Sequence, residues 1–183
     1  MGTLKQQAIL LSLVKAMKKN GSWCGETHVQ KSAFFLKRML GVPIDFEFVL
    51  YKHGPYSFDL RDELDEMRAN LTLGLQSNPY PYGPSYIPGN SAKILEERFP
   101  KASNEYRNQI EFVAENISAK SVADLERIAT AFFVSQDPLY PDAPQRIKHI
   151  VELKPHISEI EAEDALKTVG GLLQRSKELA ITE

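Results

Sequence analysis

Over the first ninety residues the apolar positions change their repeat in a set order, and that order restricts the fold more than any other feature of the chain. Leu10, Leu13, Val14 and Met17 recur at offsets 0, 3, 4 and 7, the stripe of a helix with 3.6 residues per turn, which predicts a helix over 3–19. Asn20-Gly21 ends it, because both residues tolerate the left-handed backbone of a helix C-terminus. A second helix is expected from Thr27, with Gln30 three residues on completing a capping box and Val29, Ala33, Leu36 and Leu40 as its apolar stripe. Gly41 and Pro43 close it.

Phe46, Phe48 and Leu50 then alternate with Glu47, Val49 and Tyr51, the period of a strand with one buried face. The motif His53-Gly54-Pro55-Tyr56-Ser57 reads as a turn, since Gly permits unusual dihedrals, Pro fixes its own and Ser57 can cap the next helix. Leu60, Leu64, Met67 and Leu71, at offsets 0, 4, 7 and 11, predict a third helix that stops near Asn70. Leu71, Leu73 and Leu75 alternate again, and residues 85–87 are placed to pair back across the Pro-, Tyr- and Gly-rich segment 78–89. Helix, helix, strand, helix and hairpin are the ordered parts of a winged helix. Residues 1–90 are therefore expected to form a winged-helix-like subdomain with a small antiparallel sheet.

Beyond Ser91 the pattern is wholly helical, with helices predicted at 91–99, 104–117, 121–135, 143–153 and 159–180. Ser121 with Asp124, Asp142 with Gln145, and Ser158 with Glu161 supply three capping signals. Gly170-Gly171 interrupts the last helix, which predicts a kink or a close packing partner there. The expected fold is α+β and mostly α, residues 91–183 forming a helical subdomain packed on the first as one compact unit. With 43% hydrophobic residues in 183, the chain can supply a real core.

The block Val29-Gln30-Lys31-Ser32-Ala33-Phe34-Phe35-Leu36-Lys37, residues 48–57 ending in Gly54-Pro55-Tyr56-Ser57, and the helix 60–67 resemble the YwgA-like proteins of bacteria and archaea. Residues 125–133 and the string Glu152-Leu153-Lys154-Pro155-His156-Ile157-Ser158 look like that family's C-terminal blocks, so the resemblance spans most of the chain. The Gly-Pro turn after a strand is also similar to the Panacea domain of bacterial antitoxins. That second resemblance implies a winged-helix relative working in toxin control or phage defence. Neither resemblance assigns a catalytic residue.

Charge weighs against the function a winged helix first suggests. Residues 1–56 hold eight Lys and Arg against three Asp and Glu, a block of +5. Residues 57–70, the third helix, hold Arg61 and Arg68 against Asp59, Asp62, Glu63, Asp65 and Glu66, a block of -3. In a reader of duplex DNA that helix enters the major groove, where phosphates repel a net acidic rod. The five carboxylates read either as a solvated helix face or as the complement of a basic protein surface. Arg61, Asp62, Asp65 and Glu66, with Tyr80, Tyr82 and Tyr86 of the wing, are the expected partner-binding set, exposed tyrosine being favoured in binding surfaces. Lys15, Lys18, Lys19, Lys31, Lys37 and Arg38 are scattered surface lysines on one reading and a nucleic-acid patch on the other.

Net charge is -2, which draws the whole chain toward neither nucleic acid nor anionic lipid. The single cysteine, Cys24, excludes an internal disulfide framework and fits a reducing compartment. Cys24 and His28 stand four apart, yet Trp23-Cys24-Gly25 reads as the connection into the second helix and no third group completes a nucleophile. His53, His149 and His156 lie on separate elements without the short spacings of a metal site. His53 is the one of interest, expected to hydrogen-bond the turn it adjoins. Residues 8–14 are followed by Lys15, Lys18 and Lys19 and by no cleavage signal, so they read as a helix. No run reaches the roughly 18–20 apolar residues of a membrane span. The expectation is a cytoplasmic, non-catalytic binding module without cofactor, metal or membrane partner, holding a protein. A winged-helix transcriptional regulator bound to DNA is the second reading, and a hydrolase or nuclease the third.

Overall fold

In a computed structural model, residues 4–80 and 82–181 are described, so Thr3, the expected start of the first helix, and Pro81, in the wing, lie outside them. The described residues form helices α1 (Leu4–Lys19), α2 (Glu26–Arg38), α3 (Phe58–Ala69), α4 (Ala92–Arg98), α5 (Pro100–Glu105), α6 (Arg107–Asn116), α7 (Val122–Ser135), α8 (Ala143–Leu153) and α9 (Glu159–Ile181). Strands β1 (Val49–Tyr51) and β2 (Gly54–Tyr56) form one antiparallel hairpin, and β3 (Leu73–Gln76) and β4 (Ser85–Pro88) another. The fold is α+β and mostly α, as the sequence predicts, with its strands divided between two separate two-stranded sheets.

The central element is α1. It packs on α2, α4, α5, α6 and β4, so almost its whole circumference is buried and not only the expected stripe. Two polar residues are taken inside with it and satisfied there. Gln6 accepts the Asp45 amide at 2.6 Å, and Gln7 donates to the Glu63 carboxylate at 2.7 Å. Gly21, at φ +78°, ends α1 while the Ser22 amide returns to the Met17 carbonyl at 3.0 Å. A stack of Phe34, Phe35 and Phe132 joins α2 to α7, and one core cluster runs through residues of both expected subdomains.

The capping box predicted at Thr27 is not formed. Helix α2 starts one residue earlier, at Glu26, with Gly25 as an N-cap that has no side chain to offer, and Gln30 is turned inward to the backbone of Ser57. The strand predicted from Phe46 shortens to Val49–Tyr51, since Phe46 is drawn into the core and its carbonyl accepts from Lys37 at 2.9 Å. His53-Gly54-Pro55-Tyr56-Ser57 is only partly a turn. The reversal falls at Lys52 and His53, and Gly54–Tyr56 is β2 itself, pairing Leu50 with Pro55. Ser57 does cap α3, accepting the Leu60 amide at 3.2 Å, and Asn70 ends that helix as expected.

Leu71 leaves the predicted stripe. It is exposed at φ +57°, the left-handed residue that turns the chain from α3 into the hairpin. The predicted helix 104–117 is two helices, α5 and α6, divided at Tyr106 with φ -118°. The three predicted caps are formed by Ser121, Asp142 and Ser158, the last making a reciprocal box with Glu161. Helix α9 continues through Gly170 and Gly171, and neither glycine lies against another backbone.

Candidate functional site

Helix α3 turns Arg61, Asp65 and Arg68, at positions i, i+4 and i+7, toward the hairpin β3–β4, which is the predicted wing. Between them lies a groove of about 910 Å³. The β3–β4 hairpin contributes Leu75, Tyr82, Gly83, Pro84 and Tyr86, the loop before α2 contributes Gly21, Trp23 and Gly25, and residues 119–122, leading into α7, complete the lining. Trp23 and Tyr82 meet at 4.6 Å between ring centroids, tilted by 47°, and form an aromatic rim. Leu75 and Val122 add exposed apolar surface, so large hydrophobic side chains stand in water around a concave site.

Strain holds the rim in place. Cys24 is a non-glycine residue at φ +53° whose side chain is wholly buried, while its carbonyl accepts the Tyr86 amide at 2.8 Å. This contact ties the loop to the wing and leaves Trp23 facing outward. The Cys24 thiol is pushed up to about 11 by burial, and its hydrogen bond runs to the Val14 carbonyl. His28, the neighbour considered as its base, instead lies 3.2 Å from the Lys120 carbonyl through Nε2, and burial lowers it. A carbonyl only accepts, so Nε2 carries the proton. Cys24 and His28 do not form a nucleophile and base.

The predicted partner-binding residues divide. Arg61 and Asp65 line the groove. Asp62 lies beside it, binding Arg61 through Nη2 at 2.7 Å, and Glu66 accepts from Gln7 at 3.4 Å. Tyr80 is 97% exposed and Tyr82 60%, but Tyr86 is 6% exposed and lines the groove. Burial raises the Tyr86 phenol to about 12, helped by the Glu26 and Asp65 charges. Glu63 is buried against α1 and Glu66 is half-buried, so three of the five α3 carboxylates, Asp59, Asp62 and Asp65, are exposed on its outer face.

The six residues of the predicted basic patch do not all lie on one surface, and Lys18 is half-buried on α1. Lys31 is 1% exposed and belongs to the interior. Lys15 pairs with Glu96, Lys19 approaches Glu111 at 3.6 Å, Lys37 binds Glu47 at 3.3 Å and Arg38 reaches Gln136 at 3.3 Å. Helix α2 splits the set, because its inward face carries Lys31 and its outer end carries Lys37 and Arg38. A smaller depression of about 380 Å³ between α1 and α6 holds Lys15 and Lys19 together with Glu96 and Glu111, with no aromatic rim.

Below the groove, α2, the β1–β2 turn, α7 and the segment 152–158 meet at a buried ion cluster. Glu126 of α7 is the hub. Lys154 approaches its Oε1 at 3.2 Å and donates to the carbonyls of Tyr51 at 2.7 Å and Lys52 at 2.5 Å, which fastens the β1–β2 turn. His156 lies 3.2 Å from Glu126 and His53 3.5 Å, on the exposed side. Burial pushes the Glu126 carboxyl up, but hydrogen bonding and charge from Lys154, with the two histidines, outweigh it and leave it below the usual carboxylate value. Burial brings Lys31 down to about 8 despite the Glu126 charge. Gly54 is required here: its φ is +85°, and a Cβ would sit 3.2 Å from Thr130 Oγ1. His53 therefore braces the turn through a carboxylate. Among the described residues no group of three His, Cys, Asp or Glu side chains is arranged to hold a metal ion.

Sequence reasoning misses Trp23 and a second aromatic surface. Tyr51, Tyr56 and Phe58 pack at 5.1–5.6 Å between centroids with Arg61 over Phe58 at 5.4 Å, and the Tyr56 hydroxyl donates to Glu26 at 2.6 Å. Arg61 thus joins this surface to the groove. The signal present in the sequence is a lone tryptophan, standing between Gly21 and Gly25 in the connection into α2. Among the described residues no helix is long and apolar enough to cross a membrane. No protein-family model matches the chain, and no curated protein does.

Proposed function

We propose that the chain is a non-catalytic, cytoplasmic binding module whose groove between α3 and the wing takes a polypeptide segment of a protein partner. The observation that carries this reading is the groove itself. It is large enough for several side chains, rimmed by Trp23 and Tyr82, and walled by the mixed charges Arg61, Asp65 and Arg68. Aromatic residues and arginine are the side chains that most often dominate the energy of protein recognition. Duplex DNA is a poor occupant by the same physics. The exposed carboxylates Asp59, Asp62 and Asp65 share α3 with Arg61 and Arg68, so the helix keeps a net negative charge that repels phosphates. The arrangement of α1–α3 and the β3–β4 hairpin supports a winged-helix-like reading of this half. The resemblance to the YwgA-like proteins and to the antitoxin Panacea domain supports a regulatory role in toxin control or phage defence.

The test is an unbiased selection of displayed peptides on the intact chain, in parallel with selection from a random duplex DNA library. The expected result is a convergent peptide motif that the Trp23→Ala/Tyr82→Ala double variant no longer retains. Absence of any convergent peptide, or convergence only on DNA, contradicts the proposal.

A further inference from the structure

Resting on the reading of the groove as a polypeptide site, we infer the kind of segment it takes: an amphipathic helix carrying an acid, a base and an acid in register with Arg61, Asp65 and Arg68. These three residues follow one another along a single face of α3, with the sign of charge alternating. Their steps along the helix axis are about 6 Å and about 4.5 Å, from a rise of 1.5 Å per residue. A second helix lying along α3 repeats the same steps and can set all three opposite charges in register at once. An extended chain repeats on one face every 6.6–6.8 Å or so, which overshoots the second step.

The other charged residues of the groove do not decide its occupant. Glu26, at the start of α2, and Lys120, before α7, lie off α3 and stand outside the ladder. The internal pairs of the ladder are cheap to exchange. Arg61 with Asp62 and Arg68 with Asp65 are both solvent-exposed, and ion pairs of that kind contribute little on their own. The apolar face of the incoming helix then meets Trp23, Tyr82 and Leu75 across the groove, the recognition mode of a helix laid in a hydrophobic groove.

The test selects from a displayed library of short helical peptides in which the three ladder positions are drawn from Glu, Lys and Gln, against the intact chain and against the Arg61→Glu/Asp65→Lys/Arg68→Glu variant. The expected result is enrichment of acid-base-acid on the natural chain, inversion to base-acid-base on the variant, and a preference of about tenfold between the two ladders in a fluorescence anisotropy titration at low salt. Should the triple variant fail to melt cooperatively, the single exposed reversal Arg61→Glu serves, with inversion expected at one ladder position. Helical peptides that bind through Trp23 and Tyr82 with no charge preference overturn the ladder and leave the groove. Equal or tighter binding of proline-broken versions overturns the helix. Peptides that bind equally well to the Trp23→Ala/Tyr82→Ala variant, or no bound peptide at all, overturn the ladder and the groove together.

Discussion

Gln30 grips the backbone of Ser57 with both ends of its amide, Nε2 donating to the Ser57 carbonyl and Oε1 accepting the Ser57 amide, each at 2.9 Å. Both residues are wholly buried, and Ser57 is also the cap of α3. One side chain of α2 therefore fixes where the groove wall begins. Gln30→Ala strands the Ser57 amide without water, although the carbonyl keeps its bond from the Arg61 amide at 3.2 Å. The expected loss is about 2–3 kcal/mol in urea unfolding. A loss within about 0.5 kcal/mol means that this bond does not position α3.

The Glu126 hub gives an acid-side prediction. Its folded value lies below the ordinary 4.5, so its contribution is present above the unfolded value and is lost as pH falls through the folded one. Glu126→Ala, which leaves Lys154 buried without its carboxylate partner and Lys31 with only the Glu26 charge, is expected to cost about 3–5 kcal/mol at neutral pH. Unfolding curves of the variant should also lack part of the natural chain's acid loss.

Lys31 has the opposite sign. Its folded value of about 8 lies below 10.5, so its burial penalty is fully present under pH 8 and is relieved as pH rises toward 10.5. Cys24 works against it, since a thiol held at about 11 rather than 9.0 contributes stability that is lost above pH 9. The difference between the natural chain and Lys31→Met isolates the lysine. The variant is expected to be as stable as the natural chain or more so at pH 7, with its advantage shrinking by about pH 10 in urea unfolding. An advantage that grows with pH contradicts the assignment.

Leu71 and Gly89 form the hinge between α3 and the wing. Leu71→Gly removes an exposed side chain from a left-handed residue and is expected to raise stability by about 1 kcal/mol. Gly89→Ala brings a Cβ to 2.2 Å from the Leu71 carbonyl oxygen, which is backbone and cannot withdraw. It is expected to cost about 3 kcal/mol, read as a drop in melting temperature.

These residues also mark how far the sequence can be read. Local signals are legible: the α1 stripe, the Ser57 cap, the stop at Asn70 and the caps at Ser121, Asp142 and Ser158 depend on neighbours within a turn. Gln30 misleads because its local partner, the α2 terminus, loses to a distant one 27 residues on. Lys31 and Glu63 mislead for the same reason, since a charge is assigned to the surface until a burying helix brings its partner. Trp23 and Tyr82 stand 59 positions apart in the sequence, 82 less 23, and only the fold of the wing puts them side by side.

Trp23 is the one tryptophan of the chain and stands on the groove rim, so its fluorescence reports occupancy of the proposed site directly. The decisive measurement titrates the intact chain with a display-selected peptide lacking tryptophan and, separately, with duplex DNA at low salt. A saturable blue shift of Trp23 emission with the peptide, abolished by Tyr82→Ala and absent with DNA, is the predicted result. A salt-sensitive response to DNA with none to the peptide would contradict the account.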